Sequence, residues 1–323
     1  KTCRFKGRVM FQLLKPGHTI PFMKMAMPAT ILSTILIVLS VFTIATKGFN
    51  WGLDFTGGTI AELKFSKPAD LDEVRNALNT QGLEGAVVQY YGSTKDVVIR
   101  IAPKGELTQQ KISDGVQKGS AAVDSKVSLT RIEYVGPSVG EELANQGFLA
   151  ILAALGSILV YVALRFEWRM ATGAVMSLAH DVLVTLAVFS WTQMEFDLNV
   201  LAAVLTVVGY SLNDTIVVFD RVRENARRIR NETMRNIIDI SMTETLSRTL
   251  ITSGTTLITV IALFWKGGPM IHGFSTALLI GIGFGTYSSI YVASAWAMYM
   301  KMNREDLMPK VVEKEGIEER YEP

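Results

Sequence analysis

Six long apolar runs alternate with polar stretches along the chain. Each is near the roughly 20 residues that a helix needs to cross a bilayer. The runs cover residues 27–46, 145–164, 170–191, 197–219, 247–265 and 274–299. The pattern therefore predicts a polytopic α-helical membrane protein with six transmembrane helices.

The longest polar stretch, residues 47–144, lies between the first two runs. Four segments in it alternate like strands, and two have helical spacing, the second of them over 107–123 and weakened by Gly115 and Gly119. The segments are TIAELKF, DLDEVRNALNTQG, AVVQYYG, KDVVIRIA, 107–123 and KVSLTRIEYV. This β-α-β-β-α-β order predicts an α+β domain with the ferredoxin-like fold. The stretch contains no histidine and no metal-ligand spacing, so we interpret it as a contact or levering domain.

Lysine and arginine mark one side of the predicted spans. They are frequent in the tails 1–26 and 300–323, in the loop with Arg165 and Arg169, and in residues 220–246. Positively charged loops stay in the cytoplasm, so we expect cytoplasmic termini and a periplasmic α+β domain. A signal peptide is the alternative for residues 1–46, but the first apolar run is longer than the usual roughly 7 to 15 residues.

Residues 220–246 combine arginines with an apolar helical face. That pattern predicts an amphipathic cytoplasmic loop lying along the lipid headgroups. A binding surface for a cytoplasmic partner is the alternative.

Composition narrows the function classes. The chain is 49% hydrophobic with a formal net charge of +2, which gives no indication of a nucleic-acid partner. Its single cysteine, Cys3, leaves the exported part without a disulfide. No GK dipeptide occurs, so no Walker-type loop binds ATP. We find no metal-ligand spacing and predict no cofactor.

The segment GPSVG at 136–140 matches the elbow of serine hydrolases. The spacing of Ser138 and Glu141 matches a helix capping box instead, with Pro137 setting the turn into the second span. We therefore predict a protein that is not an enzyme.

Two carboxylates lie inside predicted spans. Placing an ionised group in the bilayer costs free energy, so such a residue is first considered a functional candidate. Asp214 follows GYSLN in the fourth span, and Asp181 sits in the third beside His180, whose ring points about 100° away on a helix. The alternative for either carboxylate is a permanently hydrogen-bonded packing group.

Arg248 opens the fifth span on the side where the fourth span ends. Asp214 lies about 8 Å inside that face at about 1.5 Å per residue, so an Asp214–Arg248 ion pair is sterically reasonable. An ordinary positive-inside anchor is the alternative for Arg248.

Small and polar residues complete the candidate site. Gly281 and Gly285 form a G-x-x-x-G pair that favours close helix packing. Asn213 is interpreted as a hydrogen-bonding packing residue, and Thr215 as part of an ion pathway or of helix packing.

Several long motifs, in order along nearly the whole chain, resemble the SecF family of bacterial protein-export membrane proteins. They are NWGLDFTGGT (50–59), RIEYVGPSVG (131–140), YVALRFEWR (161–169), LAHDV (178–182), GYSLNDTIVVFDRVREN (209–225) and SRTLITSGTT (247–256). The resemblance implies a fold related to resistance-nodulation-division (RND) transporters. It also implies SecD as a partner, with SecYEG, YajC, an unfolded preprotein and membrane lipid as further contacts.

The resemblance further implies protein export across the inner membrane with energy from an ion gradient, with Asp214 and Arg248 in ion coupling. It does not choose between protons and sodium ions. An RND-type small-molecule or lipid exporter, an intramembrane aspartyl protease and a passive assembly subunit are the alternatives. The G-x-G-D signature of such proteases is missing before Asp214.

Overall fold

A computed structural model describes residues 19–103 and 108–308 of the chain. Cys3 and the expectations for residues 1–18 and 309–323 lie outside the described residues.

The chain forms six long helices and a small α+β domain. The helices are α1 (Ala26–Lys47), α5 (Pro137–Arg165), α6 (Trp168–Thr192), α7 (Leu198–Arg228), α8 (Met234–Lys266) and α9 (Pro269–Tyr299). Between α1 and α5 lie β1 (Asn50–Trp51), α2 (Leu53–Thr56), β2 (Gly58–Lys64), α3 (Leu71–Thr80), β3 (Val87–Tyr91), β4 (Ser93–Ile101), α4 (Gln109–Val123) and β5 (Ser128–Val135). A further short strand, β6 (Glu195–Phe196), precedes α7.

All six long helices are long and apolar enough to cross a membrane. Helices α6, α7 and α9 form the packed centre and contribute most of the buried helical residues. Helices α1 and α5 lie at the periphery and expose large apolar side chains, among them Phe42, Phe148 and Leu164. An exposed apolar surface of this kind suits contact with lipid tails, and the chain is a polytopic helical membrane protein.

The helix ends follow local sequence signals. Asp197 caps α7 by accepting a hydrogen bond from the Val200 backbone N–H at 2.8 Å, and Thr233 caps α8. Helix α5 begins with Gly136 as its cap and Pro137 as its first residue. The predicted turn at Pro137 is therefore present, but the capping box is not, because no side chain caps this helix.

Residues 220–246 do not form the predicted loop along the headgroups. Helix α7 continues to Arg228 and α8 begins at Met234, so the connection is 229–233. The apolar face is present, but Ile237, Ile238 and Met242 pack into the protein core instead of facing lipid. Burial against neighbouring helices stabilises these helical extensions more than an interfacial position would.

The α+β domain has the predicted order of elements. Its sheet has the strand order β3-β4-β2-β5, with antiparallel neighbours throughout. Residues such as Leu63 and Ile99 point to the face that α3 and α4 cover, where Val74 and Val116 complete the core. A side chain at Gly119 would crowd the Leu78 side chain of α3 at 3.2 Å, so this glycine permits close helix packing.

A two-stranded parallel ribbon joins the α+β domain to the helices. Strand β1 pairs with β6 in the register Asn50 to Glu195 and Trp51 to Phe196. These two-residue strands are too short for an alternating pattern, so the sequence did not predict them. The ribbon connects the start of the domain to the start of α7.

Candidate functional site

Asp214 lies on α7 within the packed helices and is 4% exposed. The Ser253 hydroxyl of α8 lies 3.4 Å from Asp214 Oδ2 and is its hydrogen-bond donor among the described residues. Ser253 in turn accepts a hydrogen bond from the Thr286 hydroxyl of α9 at 2.9 Å. Asp214 is thus a buried carboxylate with one long hydrogen bond, a poorly compensated position for a charge.

Asp181 on α6 is completely buried and has more partners. Its Oδ2 accepts hydrogen bonds from the hydroxyls of Ser211 on α7 at 2.5 Å and Ser288 on α9 at 2.6 Å. Ser177 donates to Ser288 at 2.9 Å and extends the network. This carboxylate holds three helices together through short hydrogen bonds.

His180 contacts Asp181 of its own helix as well as two aromatic rings of α9. Its Nδ1 lies 2.9 Å from Asp181 Oδ1, which contradicts the expectation from helical geometry that the ring points away. The ring also packs beside Phe284 and Tyr287. Local side-chain rotation brings the two neighbours together despite the separation of about 100° between their Cα–Cβ directions.

The two carboxylate sites meet on α7. Ser211, which binds Asp181, and Asp214 are three residues apart, so they occupy adjacent turns about 4.5 Å apart along the axis. On α9, Thr286 and Ser288 serve the Asp214 and Asp181 sites, respectively. A change in charge at Asp214 therefore acts next to the hydrogen bonds that fix α7 against α6 and α9.

Arg248 does not form the predicted ion pair with Asp214 in the described structure. Its side chain is exposed, although it lies within electrostatic range of Asp214. Ser253, which faces Asp214, follows Arg248 by five residues and is therefore about 140° away around α8. The rotation of α8 directs the serine, and not the arginine, towards the carboxylate.

Asn213 and Thr215 flank Asp214 and point in different directions. Asn213 is exposed on the outer face of α7, so it is not a packing residue between the described helices. Thr215 is buried and donates its hydroxyl hydrogen bond to the Ser211 carbonyl of its own helix at 3.1 Å. Of these three residues, Asp214 is the ionisable one, and it faces into the packed helices.

Gly281 and Gly285 lie on the face of α9 that meets α7. A Cβ atom at Gly281 would overlap the Val207 side chain, and one at Gly285 would stand 3.2 Å from Ser211 Cβ and 3.6 Å from Asp181 Oδ2. The two glycines bring α9 close enough for its hydroxyls to reach both carboxylates.

A small packing gap, too narrow to hold a water molecule, lies one helical turn from Asp214 towards the arginine-rich end, which is the end of the helices that carries Arg165 and Arg223. It is lined by Phe22, Val218, Met242, Thr245, Leu246, Thr249 and Ile290. The Thr249 hydroxyl is buried and has no hydrogen-bond partner among the described residues. Thr249 lies one turn from Ser253 on α8, which places a free polar group between Asp214 and that end.

No group of three or more potential metal-ligating side chains occurs within residues 19–103 and 108–308. The oxygens around Asp214 are one carboxylate and two hydroxyls. Such oxygens suit a proton or a hard monovalent cation more than a transition metal.

Sequence reasoning missed the serines and the threonine that bind the carboxylates directly or through another hydroxyl. They are Ser177, Ser211, Ser253, Thr286 and Ser288. Hydroxyl groups inside apolar runs are the signal that marks them, because they hydrogen-bond across helices in lipid.

Comparison with known proteins gives consistent matches. The family described as protein export membrane protein SecD/SecF, C-terminal, matches residues 116–303, and the SecD/SecF GG motif matches residues 42–69. The protein translocase subunit SecF of Vibrio alginolyticus is 56% identical over 96% of this chain and 98% of its own length. The chain belongs to the SecF family.

Other SecF relatives support the same assignment. Those of Haemophilus influenzae and Escherichia coli O157:H7 are 53% and 48% identical over 93% and 89% of the chain. These matches do not favour the alternative of a small-molecule exporter, and they describe a transport component.

A solved SecDF structure has a similar fold. The crystal structure of SecDF, a translocon-associated membrane protein from Thermus thermophilus, matches 88% of this SecF-family chain with a TM-score of 0.80 and 36% identity. This chain spans 39% of that longer chain. The match supports fusion or association of SecD with chains of this family.

The SecF-family motif NWGLDFTGGT forms the connection between the α+β domain and α7. Asp54 Oδ2 accepts a hydrogen bond from the Leu198 backbone N–H, the first residue of α7, at 3.0 Å. Arg100 of β4 forms an ion pair with Glu195 of β6. Rings of Phe49, Trp51, Phe55, Phe189 and Phe196 pack around the ribbon. The domain is thus attached directly to the helix that carries Asp214.

The carboxylates of this connection are partly removed from water. Burial raises the pKa of Glu195, while the Arg100 guanidinium lowers it. Burial also raises the pKa of Asp197, against the hydrogen bond from the Val200 N–H. The ionised carboxylates of Glu195 and Asp197 are therefore stabilised by Arg100 and by the Val200 N–H, respectively. Loss of Arg100 would leave the Glu195 carboxylate buried without its counter-ion.

Proposed function

We propose that the chain acts as a SecF subunit that promotes protein export across the inner membrane by coupling ion movement at Asp214 to motion of the α+β domain. The observation that carries the proposal is Asp214 itself, 4% exposed with one donor at 3.4 Å. A carboxylate with so little compensation favours gaining a proton or a cation, and its charge state then controls helix packing.

Arginine distribution and strand order support the orientation and the fold of the exported domain. Arg165, Arg223, Arg227 and Arg228 line one end of the helices, whereas the α+β domain lies at the other. Positive charges remain cytoplasmic, so we infer a periplasmic domain. The β-α-β-β-α-β order with neighbours β3-β4-β2-β5 supports the ferredoxin-like fold.

Ion entry is proposed from the arginine-rich end, because the buried Thr249 hydroxyl lies on that side, one helical turn from Ser253. The Thr249 hydroxyl has no hydrogen-bond partner among the described residues, and it would bind a proton-carrying water or a cation once the surrounding helices move apart. Arg248, within electrostatic range but exposed, is proposed to adjust to the charge of Asp214 as it changes. The ligand oxygens serve a proton or a sodium ion equally well.

The movement caused by a charge change at Asp214 is proposed to reach the exported domain through α7. Asp214 sits one turn from Ser211, and the first residue of α7 is bonded to Asp54 of the domain. A shift or rotation of α7 therefore moves the ribbon and the domain with it. One charge moving through 100 mV supplies about 2.3 kcal/mol, enough to bias two packing states when several ions act per cycle.

SecD is the proposed partner within the membrane. The outer face of α7 exposes Ala202, Thr206, Gly209 and Asn213, which recur at helical spacing. A polar amide facing lipid tails is unfavourable, and small residues permit close approach, so this face suits another transmembrane helix. SecYEG, YajC and the unfolded preprotein are proposed as further partners on the basis of family membership.

Replacement of Asp214 by Asn tests the coupling. The amide keeps the shape and removes the titratable group, so we expect loss of the gradient-dependent part of export. The measurement is the translocated fraction of a preprotein in cells whose only copy is the variant, with and without a dissipated gradient. Asp220→Asn is the control, because Asp220 lies on the same helix in an exposed pair with Arg165 and should change export little.

Full gradient-dependent export by Asp214→Asn would refute the coupling role. Proteoliposomes containing the chain and SecD, with a proton or a sodium gradient imposed in turn, identify the ion. If neither gradient stimulates export, the chain is a passive assembly subunit instead.

A further inference from the structure

A cavity of about 620 Å³ opens at the arginine-rich end, where α5 ends beside α7. It is lined by Arg165, Asp220, Arg223, Glu224, Arg227 and Arg228. Four cations and two anions therefore surround one space. The ion-coupling proposal uses none of them.

The carboxylates of the cavity are already paired. Arg165 contacts both oxygens of Asp220, at 2.6 and 2.7 Å. Glu224 pairs with Arg221, outside the lining, at 2.6 Å. The cavity therefore keeps an excess of positive charge.

Arg223 and Arg227 are fixed mainly by neutral groups. Arg223 donates to the Arg165 carbonyl at 3.1 Å and lies 3.8 Å from Asp220, while Arg227 donates to the Leu307 carbonyl at 3.1 Å. Arg223 Nε is buried and has no hydrogen-bond partner among the described residues. Both guanidinium groups are thus positioned while their charges remain available to an anion.

The ring of Phe166 supports two of the guanidinium groups. Arg165 and Arg223 lie 5.3 and 5.9 Å from its centroid. Stacking on a ring restricts the planar fork without consuming its donors. An arginine held in this way is preorganised for two-point recognition of a phosphate.

Exposed apolar side chains adjoin the cavity. Leu164, next to Arg165 at the end of α5, is 84% exposed, and Trp168 at the start of α6 is 56% exposed. Exposed Leu and Trp at the end of a transmembrane helix mark the boundary between tails and headgroups. A molecule in the cavity therefore has a positive site for its head and an apolar surface beside it.

We propose that this cavity binds the phosphate of an anionic phospholipid, with Arg223 and Arg227 as the phosphate ligands and the acyl chains along α5. Basic pockets between transmembrane helices on the cytoplasmic side suit such headgroups. An acidic protein segment would also neutralise the positive charge of the cavity, but it would make no apolar contact with the exposed Leu164 and Trp168. The bound lipid would hold the end of α5 against α7.

Lipid titration of the full chain tests the site. The delipidated protein in detergent is titrated with phosphatidylglycerol and with phosphatidylcholine of the same acyl chains, and bound lipids are counted by native mass spectrometry. We expect preference for phosphatidylglycerol. In Arg223→Gln/Arg227→Gln this binding should weaken about 30-fold, at about 1 kcal/mol per arginine near an anionic headgroup.

Two matched variants control for charge and folding. Arg230→Gln/Lys301→Gln removes two exposed cations that do not line the cavity, and it should leave affinity nearly unchanged. Arg223→Lys/Arg227→Lys keeps the charge but loses the planar fork, so it should bind phosphatidylglycerol more tightly than the glutamine variant and less tightly than the unchanged chain, at an unchanged melting temperature. Equal loss in the Arg230/Lys301 control, or no recovery with lysine, would overturn the proposal.

Competitors separate the sources of the anion. Equal affinity for the two lipids refutes a headgroup site. Displacement of the lipid by an equal concentration of glycerol phosphate assigns the cavity to a soluble phosphate, and tighter binding of a polyglutamate peptide assigns it to an acidic protein. Each of these results overturns the lipid proposal, whereas failure of both competitors supports it.

Discussion

At the scale of single residues, the two intramembrane carboxylates differ in how their charge is compensated. Asp181 accepts from two serine hydroxyls within 2.6 Å and contacts His180. Asp214 has one hydroxyl at 3.4 Å. The first arrangement suits a fixed structural charge, and the second suits a group that changes state.

Asp181→Asn and Asp214→Asn should therefore have opposite effects on stability. The asparagine carbonyl oxygen can still accept both serine hydrogen bonds, but these bonds lose the charge of the carboxylate, so Asp181→Asn should destabilise the protein by about 1.5 to 3 kcal/mol. Asp214→Asn removes a poorly compensated buried charge and should leave stability equal or higher. Reversible unfolding in detergent measures both, and a larger loss for Asp214→Asn would contradict the roles assigned to the two residues.

At the scale of elements, α7 connects the carboxylate site to the α+β domain. Its first residue is bonded to Asp54, and β6, immediately before it, pairs with β1 and with Arg100. Helix α7 can act as a connecting element because both ends of this path are held by hydrogen bonds.

Arg100→Gln should uncouple the domain without disturbing Asp214. Loss of the guanidinium lets the pKa of Glu195 rise further, since burial already raises it, and removes the ion pair between β4 and β6. We expect faster hydrogen exchange at residues 195–198 and reduced export with normal ion binding. Arg75→Gln, at an exposed pair within α3, is the control, and equal export in both variants would argue against this connection.

Contact between α9 and α7 depends on Gly281. A Cβ atom there would overlap Val207, whereas one at Gly283 has nothing within 4 Å. Gly281→Ala should cost about 1 to 3 kcal/mol through overpacking, and Gly283→Ala should be neutral or slightly stabilising. Thermal unfolding in detergent separates the two, and similar melting temperatures would show that α9 relaxes without cost.

At the scale of the whole molecule, the charged ends of the helices predict how the chain lies in the membrane. Asn79, exposed in the α+β domain, and Asn231, exposed in the connection between α7 and α8, lie at opposite ends. On a Cys3→Ser background, a membrane-impermeant maleimide applied to spheroplasts should label Asn79→Cys. It should label Asn231→Cys only after the membranes are opened, and the reverse pattern would contradict the proposed orientation.

The sequence by itself determined the features that depend on local pattern. Hydropathy gave six spans, alternation gave the order of elements in the α+β domain, and the cost of a charge in lipid selected Asp181 and Asp214. Each of these signals lies within one segment, so no knowledge of neighbouring segments was needed.

Only the tertiary structure decided which groups meet. Ser253 faces Asp214 while Arg248 points outward, Asn213 is exposed, and residues 234–246 pack as helix instead of lying on the membrane. The ribbon of β1 and β6 joins segments 145 positions apart. These outcomes depend on the rotation of each helix about its axis, which is set by packing at positions such as Gly281 and Gly285 and by hydrogen bonds between distant segments.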